Sequence, residues 1–333
     1  MRVVITGASG NVGTSLVRAL AADDDVDEIV GLARRLPLRD FHETEWHAAN
    51  IEHDDLVPLF RGADCVVHLA WAIQPSHDRE ALRRTNVEGS ERVFRAVAEA
   101  DVPSLVYASS VGAYSPGPKD RAVGESWPTE GTPTSFYARH KAEVERLLNH
   151  FQASRPATRV VRLRPGLIFK RSSAEEQRRY FLGPLFPRVL ATRGALAVLP
   201  DLDGLRFQAV HTHDVAEAYR LAVVGDARGA FNVAAEPVLD ARTLAQTLGA
   251  RVVPLPTAAV RGAMAASWRL RLQPTPPGWL DMGLAVPLMD TTRAREELGW
   301  EPRHSSLVAI RDVLSGIAEA EGEPTPPLET ARR

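Results

Sequence analysis

Residues 2–13 read RVVITGASGNVG. The first five are a short apolar, β-branched run, the mark of a buried strand. It ends at Gly7, and Gly10 and Gly13 follow at intervals of three. Beyond them Val12, Leu16, Val17 and Leu20 recur with a helical period. A strand therefore runs through a glycine loop into a helix. A tight turn there needs a residue without Cβ, and a pyrophosphate needs close backbone approach. The helix N-terminus supplies oriented N–H groups and the positive end of a dipole. The stretch predicts a dinucleotide site, with Gly7, Ser9, Gly10, Asn11, Val12 and Gly13 around the phosphates. No signal-peptide layout precedes it, so the chain is expected to begin functionally where the sequence begins.

Outward from this loop the same alternation continues. DEIVGLARR, the end of HAAN, DCVVHLAW, PSLVYASS and RVVRLRP read as five further strands, and helical patterns lie between them. The strands are apolar throughout rather than alternating, which predicts a parallel sheet covered on both faces. The order breaks near residue 166, where the chain becomes richer in proline and carries short helical stretches. FQAVHTHDVAEAYRLAVV reads as a strand and helix that rejoin the sheet. The expected fold is α/β: a Rossmann-like doubly wound parallel sheet with a smaller, mostly helical C-terminal substrate lobe. Residues 1–165 and about 207–235 form the dinucleotide domain, and 166–206 with about 236–320 the lobe. The Pro-rich, charged tail 321–333 is expected to be mobile.

Bulk properties narrow the function. The chain has 333 residues, 40 basic and 42 acidic, a net charge of −2. That gives no electrostatic footprint for nucleic acid or an anionic membrane. No apolar run reaches the length of a membrane span. The single cysteine, Cys65, excludes a disulfide framework and fits a reduced cytoplasmic compartment. The histidines of HTHD (211–214) lack a distant third ligand, and no metal is expected. Glu125 in GESWP is expected to fix a loop.

YARHK (137–141) sets a tyrosine four residues before a lysine, on one helix face. A free tyrosine has a pKa near ~10, and a neighbouring ammonium favours its phenolate. At the end of the second strand stand Ala33, Arg34 and Arg35. A carboxylate there binds the ribose 2′-OH of NAD, whereas basic residues suit the 2′-phosphate of NADP. NADP is the preferred cofactor on this reading, and NAD the alternative.

The glycine loop, DCVVHLA, TNVEGS, LVYASSVGAY and YARHK, in this order, resemble the extended short-chain dehydrogenase/reductase family, the NAD-dependent epimerase/dehydratase-like group. The resemblance runs from residue 2 to about residue 304. It implies a catalytic set of Ser110, Tyr137 and Lys141, with Ser109 a weaker candidate than Ser110. It places Asn50 and Ile51 beside the adenine. Leu69, Ala70 and Trp71 fall at the strand end that passes the cofactor, and Asn86 near the cofactor and the active-site helix. Ala108 falls beside the cofactor, and Pro165, Gly166 and Leu167 where the chain passes the nicotinamide. It also implies pairing of helices between subunits, hence a possible homodimer.

Two substrate classes follow. Nucleotide-sugar epimerases and dehydratases of this family bind a diphosphate with arginines. At the position of one stands Phe207, and the stretch PTPPGWLDMGLAVPLMD, where the other is expected, holds none. Arg188, Arg193 and Arg206 remain as substitutes. The preferred reading is an oxidoreductase for a small, rather apolar carbonyl or alcohol. Trp71, Ser110, Val111, Tyr137, Ile168 and Phe207 are the expected substrate contacts. A non-catalytic dinucleotide sensor is the third reading, disfavoured because Tyr137 and Lys141 are both present.

Overall fold

The computed structural model describes residues 1–37, 41–183, 186–192, 194–195 and 197–330. The first half lays down β1 (Arg2–Thr6), α1 (Asn11–Ala21), β2 (Glu28–Ala33), β3 (Glu45–Ala48), α2 (Val57–Phe60), β4 (Cys65–His68), α3 (Arg79–Arg83), α4 (Gly89–Glu99), β5 (Ser104–Ala108), β6 (Ala122–Val123), α5 (Phe136–Ser154) and β7 (Arg159–Pro165). The second half adds β8 (Leu167–Phe169), α6 (Ala174–Gln177), β9 (Val198–Asp201), β10 (Ala209–His211), α7 (Thr212–Val224), β11 (Gly229–Val233), α8 (Ala241–Leu248), β12 (Arg251–Pro254), α9 (Thr257–Arg269), α10 (Gly278–Ala285), β13 (Leu288–Met289), α11 (Thr292–Leu298) and α12 (Ser306–Glu319).

Seven strands form one sheet in the order β11-β7-β5-β4-β1-β2-β3, and every pairing is parallel. Successive strand residues face opposite sides. Val3 and Ile5 pack with Leu16, Val17 and Leu20 of α1 and Val215 and Tyr219 of α7. Val4 faces the other way, with Val93 and Val97 of α4 and Val144 and Leu148 of α5. This two-faced burial explains the uniformly apolar strands. The strand order reverses between β1 and β4, and the glycine loop lies at that switch point, where open α/β sheets bind ligands.

The seventh strand differs from expectation. The segment 209–211 does not rejoin the main sheet. It pairs with β8 in a separate two-stranded sheet, and β11 takes the edge beside β7. The lobe also holds more strand than expected, because β9 pairs with β12 and β6 with β13. Ala294, Leu298 and Trp300, in a segment assigned by sequence to the lobe, pack into the core under α7. The Trp300 indole donates to the Asp214 carbonyl at 2.7 Å. The described part of the expected mobile tail is packed: Leu328 and Thr325 are fully buried.

Candidate active site

Gly7 leaves β1 with φ of +77°, and its amide donates to the Leu32 carbonyl. A Cβ there would stand 2.7 Å from the Ala70 nitrogen, so the chain after β4 passes in backbone contact. A Cβ on Gly13 would meet the Gly7 and Ala8 carbonyls at 2.5 Å, which is how α1 sits so close behind the loop. Gly10 is the open member, with only the Gly7 carbonyl near its Cβ position. No side chain caps the first turn of α1, so its amides remain available to an anion.

A cleft of about 920 Å³, open to solvent, begins at this loop. Gly7, Ser9, Gly10, Ala33, Arg34, Arg35, Asn50, Ile51, Leu69, Ala70 and Trp71 all line it. The unclaimed helix amides and the bare Gly10 fit a dinucleotide pyrophosphate, and the exposed Arg34 and Arg35 fit an anion at the end of β2. Other sequence-assigned residues stand elsewhere. The Asn11 side chain accepts from Thr212 on α7 at 3.1 Å, and Val12 packs against the core. Gly13 lies behind the loop.

Asn86 is fully buried and turned to the chain rather than the cleft. Its amide accepts from the Ala72 nitrogen at 2.7 Å and donates to the Ala72 carbonyl at 3.0 Å. It thereby fixes the segment carrying Trp71. It sits in a wide helical turn, Arg84–Glu88, a distortion common at functional sites. Gly166 lets the Gln208 carbonyl approach, since a Cβ there would meet it at 2.5 Å.

Ser110, Tyr137 and Lys141 converge at the C-terminal end of β5, and all three are buried. Ser135 caps α5 by accepting from the Ala138 amide, and the helix starts at Phe136, one residue before Tyr137. The Ser110 hydroxyl accepts from the Gly112 amide at 3.0 Å and lies close enough to Tyr137 to influence its phenol. Burial pushes the Tyr137 phenol up to about 12, against the opposing effect of Ser110. Lys141 donates to the Ala108 carbonyl at 2.6 Å and lies 3.5 Å from the centre of the Trp71 ring. Burial holds its ammonium well below the usual lysine value, and Glu145 opposes the shift. Ser109 turns away and donates to Glu145 at 2.6 Å. Glu145 is clasped by Arg162 and Arg164, and its carboxyl falls to about 2 despite burial.

Residues the sequence reading missed close the site from the lobe. The Trp279 ring of α10 lies 4.9 Å from the Tyr137 ring, with the Phe181 ring edge-on to it at 5.0 Å. Met282 reaches the same place: a Cβ on Gly112 would meet its sulfur at 3.0 Å and Tyr137 at 2.9 Å. The proline–glycine start of α10 was the available signal. Gly278 brings that start within backbone contact of Thr134, just ahead of α5. Glu176, Tyr180 and Pro327, which also line the cleft at the glycine loop, were missed too.

Two expected substrate contacts are half-buried and pack against core clusters. Phe207 packs against Ala209, Leu239 and Ile310, and Ile168 against the sheet core. Ile168 lies in β8, and Phe207 makes an isolated antiparallel bridge with Leu239. Val111 packs with Tyr114, Val286 and Met289 beside Met282. Leu167 is exposed. Of the arginines left as diphosphate ligands, Arg188 binds Glu175 and Arg206 donates to the Lys119 carbonyl; Arg193 lies outside the described residues. The Glu125 carboxylate accepts from the Asn232 amide, and its carbonyl accepts from Arg164. His211 caps α7 and His304 binds Asp214. Among the described residues no group of His, Cys, Asp and Glu is arranged to hold a metal ion. Also among them, no helix is long and apolar enough to cross a membrane.

A sheet reversing at a glycine loop, with Ser, Tyr and Lys at its C-terminal edge, defines a dinucleotide-binding α/β protein of the short-chain dehydrogenase/reductase type. Residues 3–234 match the NAD dependent epimerase/dehydratase family, and the chain belongs to that family. An uncharacterized protein of Mycobacterium tuberculosis is 26% identical over 94% of this chain and 83% of its own length. The L-arabinose 1-dehydrogenase (NAD(P)(+)) of Haloferax volcanii is 32% identical over 53% of this chain and 70% of its own. The Thermus thermophilus UDP-glucose 4-epimerase, solved as a complex with NAD, superimposes with a TM-score of 0.70 at 22% identity. That match covers 96% of this chain and all of the epimerase.

Proposed function

We propose that this protein is a nicotinamide-dependent oxidoreductase that interconverts a small, apolar carbonyl compound and its alcohol, with NADP preferred over NAD. The observation that carries the reading is the surroundings of Tyr137. Its ring is covered by Trp279 and Trp71, with Met282 and Val111 alongside, while Arg188 and Arg206 are committed elsewhere. Among the described residues, neither Arg188 nor Arg206 is free to pair with a nucleoside diphosphate placed there. The Haloferax relative, an NAD(P)(+) dehydrogenase, supports the oxidoreductase class, and Arg34 and Arg35 in the cleft support the 2′-phosphate.

The nicotinamide supplies the hydride when bound. The chain's own groups handle the oxygen. Tyr137, held protonated at neutral pH by its burial, gives its proton to the alkoxide oxygen as charge builds there. Ser110 donates a hydrogen bond to the same oxygen, and the Gly112 amide fixes its orientation. Lys141 sits one helix turn on, and when it carries a proton its charge favours the phenolate left behind, against the burial that lowers its proton affinity. Trp279 and Met282 exclude water from the transfer.

The second reading is a nucleotide-sugar epimerase, supported by the fold shared with the Thermus enzyme. The test is NADPH oxidation with a panel of small ketones and aldehydes, beside titration of UDP and dTDP into the cofactor-loaded protein. Turnover that Tyr137→Phe abolishes, while cofactor binding persists, supports the first reading. Saturable UDP or dTDP binding, without carbonyl turnover, overturns it.

A further inference from the structure

The cofactor cleft has a wall that neither the glycine loop nor β2 supplies. Besides Gly10 and Arg35, the cleft is lined by Glu176 and Tyr180 and by Pro327 of the C-terminal segment. That segment leaves α12 at Ala320, in the left-handed region, and doubles back on itself. The Leu328 and Glu329 amides donate to the Thr325 carbonyl, and the Glu323 amide donates to the Leu328 carbonyl. The result is a closed loop with Leu328 and Thr325 at its core.

Two latches hold it. At one, the buried Glu323 carboxylate accepts from Lys170 at 2.9 Å, Arg18 at 3.1 Å and Ser172 at 2.6 Å. Lys170, itself 2% exposed, also donates to Thr14 at 2.7 Å and Ser15 at 3.2 Å. Thr14, Ser15 and Arg18 belong to α1, the helix whose first turn faces the cleft, and Lys170 directly follows β8. At the other, Arg179 donates to the Pro327 carbonyl at 2.8 Å and the Glu329 carbonyl at 3.1 Å. Buried charge pairs add little net stability against apolar replacements, but they demand one geometry. Here that geometry joins the glycine-loop helix, the lobe and the outer wall.

We propose that residues 320–330 are a clasp of the cofactor site: they complete its outer wall, and their unlatching sets how fast a bound dinucleotide leaves. The proposal rests on the dinucleotide reading of the cleft. A ligand that spans from the glycine loop to the end of β2 passes beneath this wall. The two latches are polar and local, so they open without unfolding the sheet.

The experiment uses the full chain. Hydrogen exchange is followed with and without NADPH, and NADPH release is timed by stopped-flow displacement. Amides of 320–330 are expected to gain protection when NADPH binds. Arg179→Ala and Glu323→Gln are expected to release it about tenfold faster. Arg293→Ala serves as a control, because Arg293 likewise donates to two backbone carbonyls, those of Ala230 and Arg228, but away from the cleft. It is expected to leave the rate unchanged. A wild-type chain that binds neither NADPH nor NADH overturns the dinucleotide reading and the clasp together. Binding with unaltered exchange in 320–330 and unaltered release in both variants overturns the clasp alone. Equal acceleration by Arg293→Ala also overturns it, since that is general loosening.

Discussion

Glu145→Gln tests the network beneath Ser110, Tyr137 and Lys141. Glu145 is fully buried on α5, one turn beyond Lys141, and accepts from Arg162 at 2.8 Å, Arg164 at 2.8 and 3.0 Å, and Ser109 at 2.6 Å. Its carboxyl stands at about 2 against an ordinary 4.5, because the hydrogen bond and charge of Arg164, then Arg162, outweigh burial. At about 1.4 kcal/mol per tenfold in proton affinity, that depression is worth about 3 kcal/mol of folding stability. This agrees with the cost of about 3–5 kcal/mol for removing one partner of a buried ion pair. It is a large part of the ~5–15 kcal/mol a domain possesses. A folded-state pKa below the unfolded one stabilises fully above the unfolded value. That stabilisation is lost as pH falls through the folded value. The gap between wild type and Glu145→Gln should therefore be greatest at neutral pH and begin to close below about 4.5. Urea unfolding across this range, followed by circular dichroism, reads it. An unchanged midpoint at pH 7, or a gap that widens on acidification, refutes the reasoning.

Replacing Arg34 and Arg35 together by alanine should weaken NADPH about tenfold to a hundredfold, the loss of one or two charge-assisted contacts, and leave NADH nearly unchanged; fluorescence titration of both decides it. Burial pushes the Glu176 carboxyl up to about 7, against the charges of Arg179 and Lys170 and a bond from Tyr180, and Arg35 lies nearby. Because its ionised form repels phosphate, NADPH affinity should fall as pH rises through about 7. In Glu176→Gln that part of the pH dependence should vanish, and an identical profile in both proteins counts against it. Trp279→Ala uncovers the Tyr137 ring and should raise KM for apolar carbonyls more than it lowers kcat; an unchanged KM would remove Trp279 from the substrate site.

Much of the site was legible because its signals are short-range. Gly7 is required by a positive φ and a strand-to-helix turn, both set within a few residues. Tyr137 and Lys141 share a face by helix geometry alone. The pairing of Ser110 rather than Ser109 with Tyr137 follows from the extended backbone just after β5, whose alternation turns Ser109 to Glu145 and Ser110 to Tyr137. Phe207 and Ile168 show the difficulty: apolar residues near a pocket and apolar residues packed on a core have the same composition, and only tertiary contacts separate them. The tail misled for a related reason. Its charge and prolines suit a mobile segment, yet Glu323 meets Lys170 and Arg18, more than 150 residues away in the chain.

By itself the sequence determined the dinucleotide sheet, the glycine loop and the Ser-Tyr-Lys set. Each is written in contacts between near neighbours, where sterics and helical or strand period leave few alternatives. Tertiary structure alone decided what surrounds them: Trp279 over Tyr137, β11 at the sheet edge, and Pro327 of the C-terminal segment in the lining of the glycine-loop cleft. Those contacts join residues far apart in the chain. Their free energy comes from burial and charge pairing that exist only after the chain has closed on itself.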